Sequence, residues 1–116
     1  MKLSIIILNY KSQGHLRQCL RGLRDCSLPY ETEVIVIDNG SGDRSAAVVK
    51  QEYPAARYIA LPRNVGYSAG NNVGLRQASG DLIMILNPDV AVFRGAIERL
   101  VTYLHDHPRV GLVLRG

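Results

Sequence analysis

The sequence predicts an α/β domain built on a mostly parallel sheet with helices on both faces. Short β-branched apolar runs alternate with segments whose apolar residues recur at three and four, which is the strand–helix order of a parallel sheet. The strand runs are nearly continuous in apolar residues, as strands covered on both faces are. The polar residues best suited to chemistry follow the strands, and such sheets bind ligands beyond their carboxyl ends.

The elements follow in order. Leu3–Leu8 (LSIIIL) is the first strand. Leu16, Cys19, Leu20 and Leu23 form a helix stripe, with Ser12 placed as its N-cap. Val34–Ile37 is the second strand, "DNGSGD" is turn chemistry, and Ser45–Tyr53 reads as a short helix stopped by Pro54. Tyr58–Leu61 is a weaker third strand. Ser68–Ala78 reads as a helix in spite of Gly70 and Gly74, and Leu82–Leu86 is the fourth strand. Ala96, Ile97, Leu100, Val101 and Leu104 mark a last amphipathic helix ending near Pro108, and Val110–Leu114 is a fifth apolar run. No repeat or linker interrupts the 116 residues, so a single domain over 1–116 is expected.

Composition narrows the function classes. With 47% hydrophobic and 21% charged residues, the chain falls in the ordinary globular range. The net charge of +4 comes without a basic run or aromatic platform, so nucleic acid is not the expected partner. Cys19 and Cys26 stand about 10 Å apart along a helix, too far to bridge, and read as reduced core residues. No signal-peptide cleavage site follows the first strand, and no run approaches ~18 apolar residues, so no transmembrane segment is expected. The expected location is the cytoplasm or the inner face of a membrane.

The strand ends collect the candidates on one edge: Asn9 and Tyr10, Asp38 and Asn39, Arg63 and Asn64, Asn87 and Asp89. The opposite edge, with "LPYET" and "YPAAR", shows little capacity to converge on a ligand. Asp38 has two readings, a cap for the following turn or a carboxylate for a nucleoside base or ribose. In "RNVGYSAGNN", Gly66, Gly70 and Gly74 form a smooth helix face for packing, while Arg63 and the helix amides can face an anion such as a diphosphate. Asn87-Pro88-Asp89 is either a plain turn or a metal or phosphate site. His15, His105 and His107 are weak candidates, the last two suiting a helix carboxyl end. No G-x-S-x-G elbow, G-x-G-x-x-G or P-loop is present.

Together, "SIIILNY", "EVIVIDNGSGD" and "RNVGYSAGNNVGLRQASGDLIMILNPDV" resemble the inverting family 2 glycosyltransferases of the Rossmann-like GT-A fold. "GNN.G...A.GD...LNPD" is similar to their rhamnosyltransferase-like branch. The resemblance spans essentially the whole chain and implies the N-terminal, donor-binding part of such an enzyme. It implies that Asp38 contacts the base or ribose of a nucleoside diphosphate sugar of the UDP or dTDP type. Asn9 and Tyr10 would line the same pocket, with Arg63 and Asn64 near the base or diphosphate. Asp89 matches the last aspartate of the D-x-D motif and would hold Mg2+ or Mn2+, while Asn87 replaces the first. The acceptor would be a carbohydrate or lipid-linked hydroxyl. Its general base is expected beyond Gly116, since Glu98 and Asp106 read as solvated helix residues. The chain therefore reads as truncated, is expected to transfer no sugar alone, and leaves an edge at Val110–Leu114 compatible with a homo-oligomer. The competing reading is a non-catalytic nucleotide-binding or interaction module of the same fold.

Overall fold

The computed structural model describes residues 1–26, 28–89, 96–106 and 113–114. Among them run β1 (Lys2–Asn9), α1 (Gln13–Asp25), β2 (Glu31–Asp38), α2 (Ser45–Glu52), β3 (Arg57–Ala60), α3 (Tyr67–Gln77), β4 (Leu82–Leu86), α4 (Ala96–Asp106) and β5 (Val113–Leu114). The strands form one sheet in the order β3-β2-β1-β4-β5, and every pairing is parallel. The predicted architecture is thus the observed one. His107, Pro108 and Val110 lie outside the described residues, as does most of the fifth apolar run.

Composition explains why β1 is central. Leu3, Ile5 and Ile7 pack with Val34, Val36, Met84 and Leu86 beneath Leu16, Leu20, Val48, Ile97 and Val101 of α1, α2 and α4. Ile6 and Leu8 point the other way, joining Ile35, Ile37 and Val73 of α3. Each such aliphatic side chain contributes roughly 1.5–3 kcal/mol when fully buried. The chain steps from β1 to β3 with α1 and α2 on one face, then crosses back to β4 with α3 on the other. The order reverses between β1 and β4, where doubly wound sheets open a crevice at their carboxyl edge.

Two glycines let α3 sit close to the sheet. A Cβ on Gly70 would stand 2.6 Å from Leu8 Cδ1, and one on Gly74 would stand 2.5 Å from Ile6 Cγ2. Gly66 does not share that packing row: it is the N-cap of α3, at φ +90°. Ser12 does occupy the N-cap of α1, but its hydroxyl donates to the Tyr10 carbonyl at 3.0 Å and makes no cap bond.

At the amino edge the polar groups converge on one another. Glu33 accepts from Ser4 Oγ at 3.0 Å, from the Ser79 amide at 3.0 Å and from the Ser79 hydroxyl. Lys2 Nζ lies 3.4 Å from the same carboxylate, and Ser4 Oγ accepts from the Gly80 amide at 2.8 Å. Burial pushes the Glu33 carboxyl up, but the bonds from Ser79, Ser4 and Lys2 outweigh it and hold it at about 2. Cys19 is buried and Cys26 half-buried. No helix among the described residues is long and apolar enough to cross a membrane.

Candidate functional site

β1 and β2 end together, with Asn9 opposite Asp38 in register. Asn9 is fully buried, and its amide nitrogen donates to Asp38 Oδ1 at 3.2 Å and to Ser45 Oγ at 2.9 Å. Asp38, 5% exposed, also accepts from the Ser41 hydroxyl at 2.5 Å and from the Tyr58 hydroxyl. Burial first, then the Asp38 charge, raises the Tyr58 hydroxyl above the usual phenol range, so it stays a donor. The Asn9 Oδ1 atom is buried with no hydrogen-bond partner among the described residues.

The loops after β2 and β3 are clasped by side-chain amides. Asn39 Nδ2 donates to Asn64 Oδ1 at 3.0 Å and to the Gly66 carbonyl at 3.3 Å, while its Oδ1 accepts from the Val65 amide at 2.9 Å. Asn64 Oδ1 also accepts from the Gly66 amide at 2.8 Å. Gly40 makes the close approach possible. It sits at φ +75°, and a Cβ there would lie 2.5 Å from the Arg63 carbonyl carbon.

Above this clasp lies a cavity of about 500 Å³ at the carboxyl edge. Tyr10, Ser12 and His15 wall it from the start of α1, Asn39, Asn64 and Tyr67 from the clasped loops, and Asn87, Pro88 and Asp89 from the end of β4. Ser12 and Gly66, the N-caps of α1 and α3, both lie on the wall. Neither helix has a side-chain cap bond or an acidic residue in its first turn. Two helix starts with uncapped amides therefore open onto one cavity, an arrangement that favours an anion.

Asp89 brings the only carboxylate to the described wall. Its field reaches inward: burial, with the Asp89 charge second, pushes the Cys19 thiol up to about 12, which leaves it protonated and inert. No group of three or more His, Cys, Asp or Glu converges among the described residues. The donor set is then one carboxylate beside the Asn87 amide. That fits a hard divalent cation whose remaining positions are filled by phosphate oxygens and water, the usual arrangement for Mg2+.

Of the residues predicted from sequence, Tyr10, Asn64, Asn87 and Asp89 line the cavity. Asn9 and Asp38 stand one layer beneath it, bonded to each other. Arg63 is exposed and off the wall, with its backbone against Gly40. Glu98 and Asp106 do not line the cavity, and Glu98 instead lies near Tyr30, whose hydroxyl is raised by burial and then by the Glu98 charge. Asn39, one of the strand-end candidates, and His15, a weak candidate, complete the wall with Ser12, expected only as an N-cap, and Tyr67, which was not singled out. The available signal for Ser12 and His15 was their place in the first turn after the first strand.

The strand-order reversal and the open carboxyl edge define a doubly wound α/β protein. Residues 4–115 match the family model "Glycosyl transferase family 2", and the chain belongs to that family. It is 34% identical over 105 residues to an N-acetylglucosaminyltransferase of Rhizobium meliloti, covering 87% of this chain and 24% of that protein. It is 37% identical over 103 residues to the uncharacterized glycosyltransferase YwdF of Bacillus subtilis, covering 86% and 37%. Among solved structures, S. aureus TarS 1–349 in complex with UDP-GlcNAc superposes at a TM-score of 0.81 and 25% identity, over 93% of this chain and 32% of that one. The mannosyltransferase PcManGT of Pyrobaculum calidifontis, in complex with GDP-Man and Mn2+, matches at 0.81 and 23%, over 94% and 33%. The fold is GT-A. The chain spans about a quarter to somewhat over a third of the length of these relatives.

Proposed function

We propose that this chain is the donor-binding part of an inverting sugar transferase and holds a nucleoside diphosphate sugar in the carboxyl-edge cavity. The observation that carries the reading is the convergence of two uncapped helix starts and one carboxylate on that cavity. The helix starts suit a diphosphate, and the carboxylate suits the divalent cation that accompanies one. TarS, the 25% identical neighbour, is solved with UDP-GlcNAc, which supports a nucleotide sugar as the ligand class.

In this reading the nucleoside lies toward β1, β2 and β3. Tyr10 and Asn64 supply its walls, and the buried, unpartnered Oδ1 of Asn9 with the Asp38 carboxylate would lie beneath it on the side of the base or ribose. The diphosphate lies toward the starts of α1 and α3, with Arg63 at the rim of the same loop. Asp89, with Asn87 beside it, would hold Mg2+ or Mn2+, which supplies charge stabilisation to the departing diphosphate. Pro88 stiffens the delivery of Asp89 from β4. The acceptor hydroxyl of a carbohydrate or lipid-linked partner must lose a proton to a carboxylate within hydrogen-bond reach. Glu98 and Asp106 are off the cavity wall, so neither is assigned that role.

The test is a panel of UDP, dTDP and GDP, with and without Mg2+ or Mn2+, followed by thermal shift. A ligand at ~100 times its dissociation constant should stabilise the chain by about 2.7 kcal/mol. No shift with any nucleotide under any metal condition would overturn the reading.

A further inference from the structure

The charge inventory of the cavity singles out one side chain. Among its described lining residues, Asp89 is the only anion, and no Lys or Arg lies on the wall. Arg63 stands outside it, and the Lys11 ammonium lies 5.3 Å from the Tyr10 ring centroid. A nucleoside diphosphate is strongly anionic, and a cation at Asp89 answers only part of that charge. Among the described lining residues His15 is the one side chain able to carry a positive charge, and it donates an N–H in either protonation state once the tautomer suits.

Local structure places His15 for the task. Leu16, Cys19, Leu20 and Leu23 are the buried stripe of α1, so the preceding position falls off the sheet-facing side while remaining in the first turn. His15 is exposed, reaches the cavity wall, and makes no hydrogen bond or ion pair among the described residues. Ser12, the N-cap, is turned back onto the Tyr10 carbonyl at 3.0 Å, and Gln13 Oε1 accepts from the Arg44 amide at 3.2 Å. The imidazole and the uncapped first-turn amides of α1 thus present donors to the same space.

We infer that His15 binds the phosphate groups of the donor, adding a side-chain contact to the helix start it stands on. The inference rests on the donor-site reading above and concerns one contact within it. It calls for affinities of UDP and GDP beside those of uridine and guanosine, measured at fixed pH and Mg2+ by ligand-observed NMR competition. The proteins are the unsubstituted chain, His15→Ala and His15→Lys, with melting temperatures as a check on folding.

His15→Ala should weaken the diphosphates about tenfold, the scale of a charge-assisted hydrogen bond, and leave the nucleosides unchanged. His15→Lys should keep or improve diphosphate affinity. Equal diphosphate affinity in His15→Ala and the unsubstituted chain would overturn the phosphate contact while leaving the donor site standing. So would a parallel loss for nucleosides and diphosphates. No nucleotide binding by the unsubstituted chain would instead remove the donor-site reading, and this inference with it.

Discussion

At the amino edge of the sheet, Glu33 accepts from Ser4 and Ser79 and lies beside Lys2, away from the carboxyl-edge cavity. At the carboxyl edge, Asp38 is likewise surrounded by donors, from Asn9, Ser41 and Tyr58. Beyond Asp38, however, stand the unpartnered Asn9 Oδ1, two uncapped helix starts and Asp89. Asp89 makes no hydrogen bond or ion pair among the described residues. The comparison teaches how to tell a closing network from a site. Both edges gather carboxylates and hydroxyls, and only the one with unspent capacity facing a cavity has anything to offer a ligand.

The largest expected effect is at Asp38→Ala, which strands the Asn9, Ser41 and Tyr58 donors. Stability should fall by on the order of 3 kcal/mol, and nucleotide affinity by about 1–3 kcal/mol even without metal. Urea unfolding and calorimetry on the one variant read both; normal affinity with lowered stability would make Asp38 structural only, like Glu33.

Gly40→Ala should come next, at about 2 kcal/mol, because it adds a Cβ at φ +75° against the Arg63 backbone. Nucleotide affinity should fall with it, since the clasped loop carries Asn64. Gly42→Ala is the control, with φ +65° and open space around its Cβ. It should cost about 1 kcal/mol from the backbone alone and spare binding.

Glu33→Gln sharpens the other side, with an expected loss of about 1 kcal/mol and unchanged nucleotide affinity. Its pH dependence has a definite sign. The folded carboxyl stands at about 2 against 4.5 for the free side chain, so its contribution is complete above 4.5 and drains as pH falls toward 2. Urea unfolding across that window should show a shallower acid limb in Glu33→Gln than in the unsubstituted chain. An identical limb would mean that other carboxylates carry the acid sensitivity.

Much of this fold was legible in the sequence because β-branched runs and three–four spacing report burial directly. LIMIL at Leu82–Leu86 is bounded as predicted, whereas β2 extends three residues before Val34 because Glu31, Thr32 and Glu33 pair with β1 although their side chains are polar. The edge on which the candidates fall was also legible, from topology alone. Depth was not. The register that sets Asn9 against Asp38 turns both into the layer below the cavity, and no spacing rule distinguishes that layer from the wall. Arg63 shows another side of this: its charge was legible, but the close approach of its backbone to Gly40 was not. His15 was read only as a weak candidate and Tyr67 was not singled out, because nothing in a helix's polar positions says which of them the next loop will face. The amino-edge network stayed hidden because Ser4, Glu33 and Ser79 are distant in sequence and meet only through the strand pairing.

Unspent capacity at the carboxyl edge, with Asp89 as its metal-facing group, is expected to bind a nucleoside diphosphate. Calorimetric titration of the nucleotide selected by the panel, into the unsubstituted chain and Asp89→Asn with and without Mn2+, tests it most directly. Binding should be tighter with Mn2+ in the unsubstituted chain, the metal effect greatly reduced in Asp89→Asn, and the two folding stabilities within about 1 kcal/mol of each other. An undiminished Mn2+ effect in Asp89→Asn would contradict the assignment of Asp89.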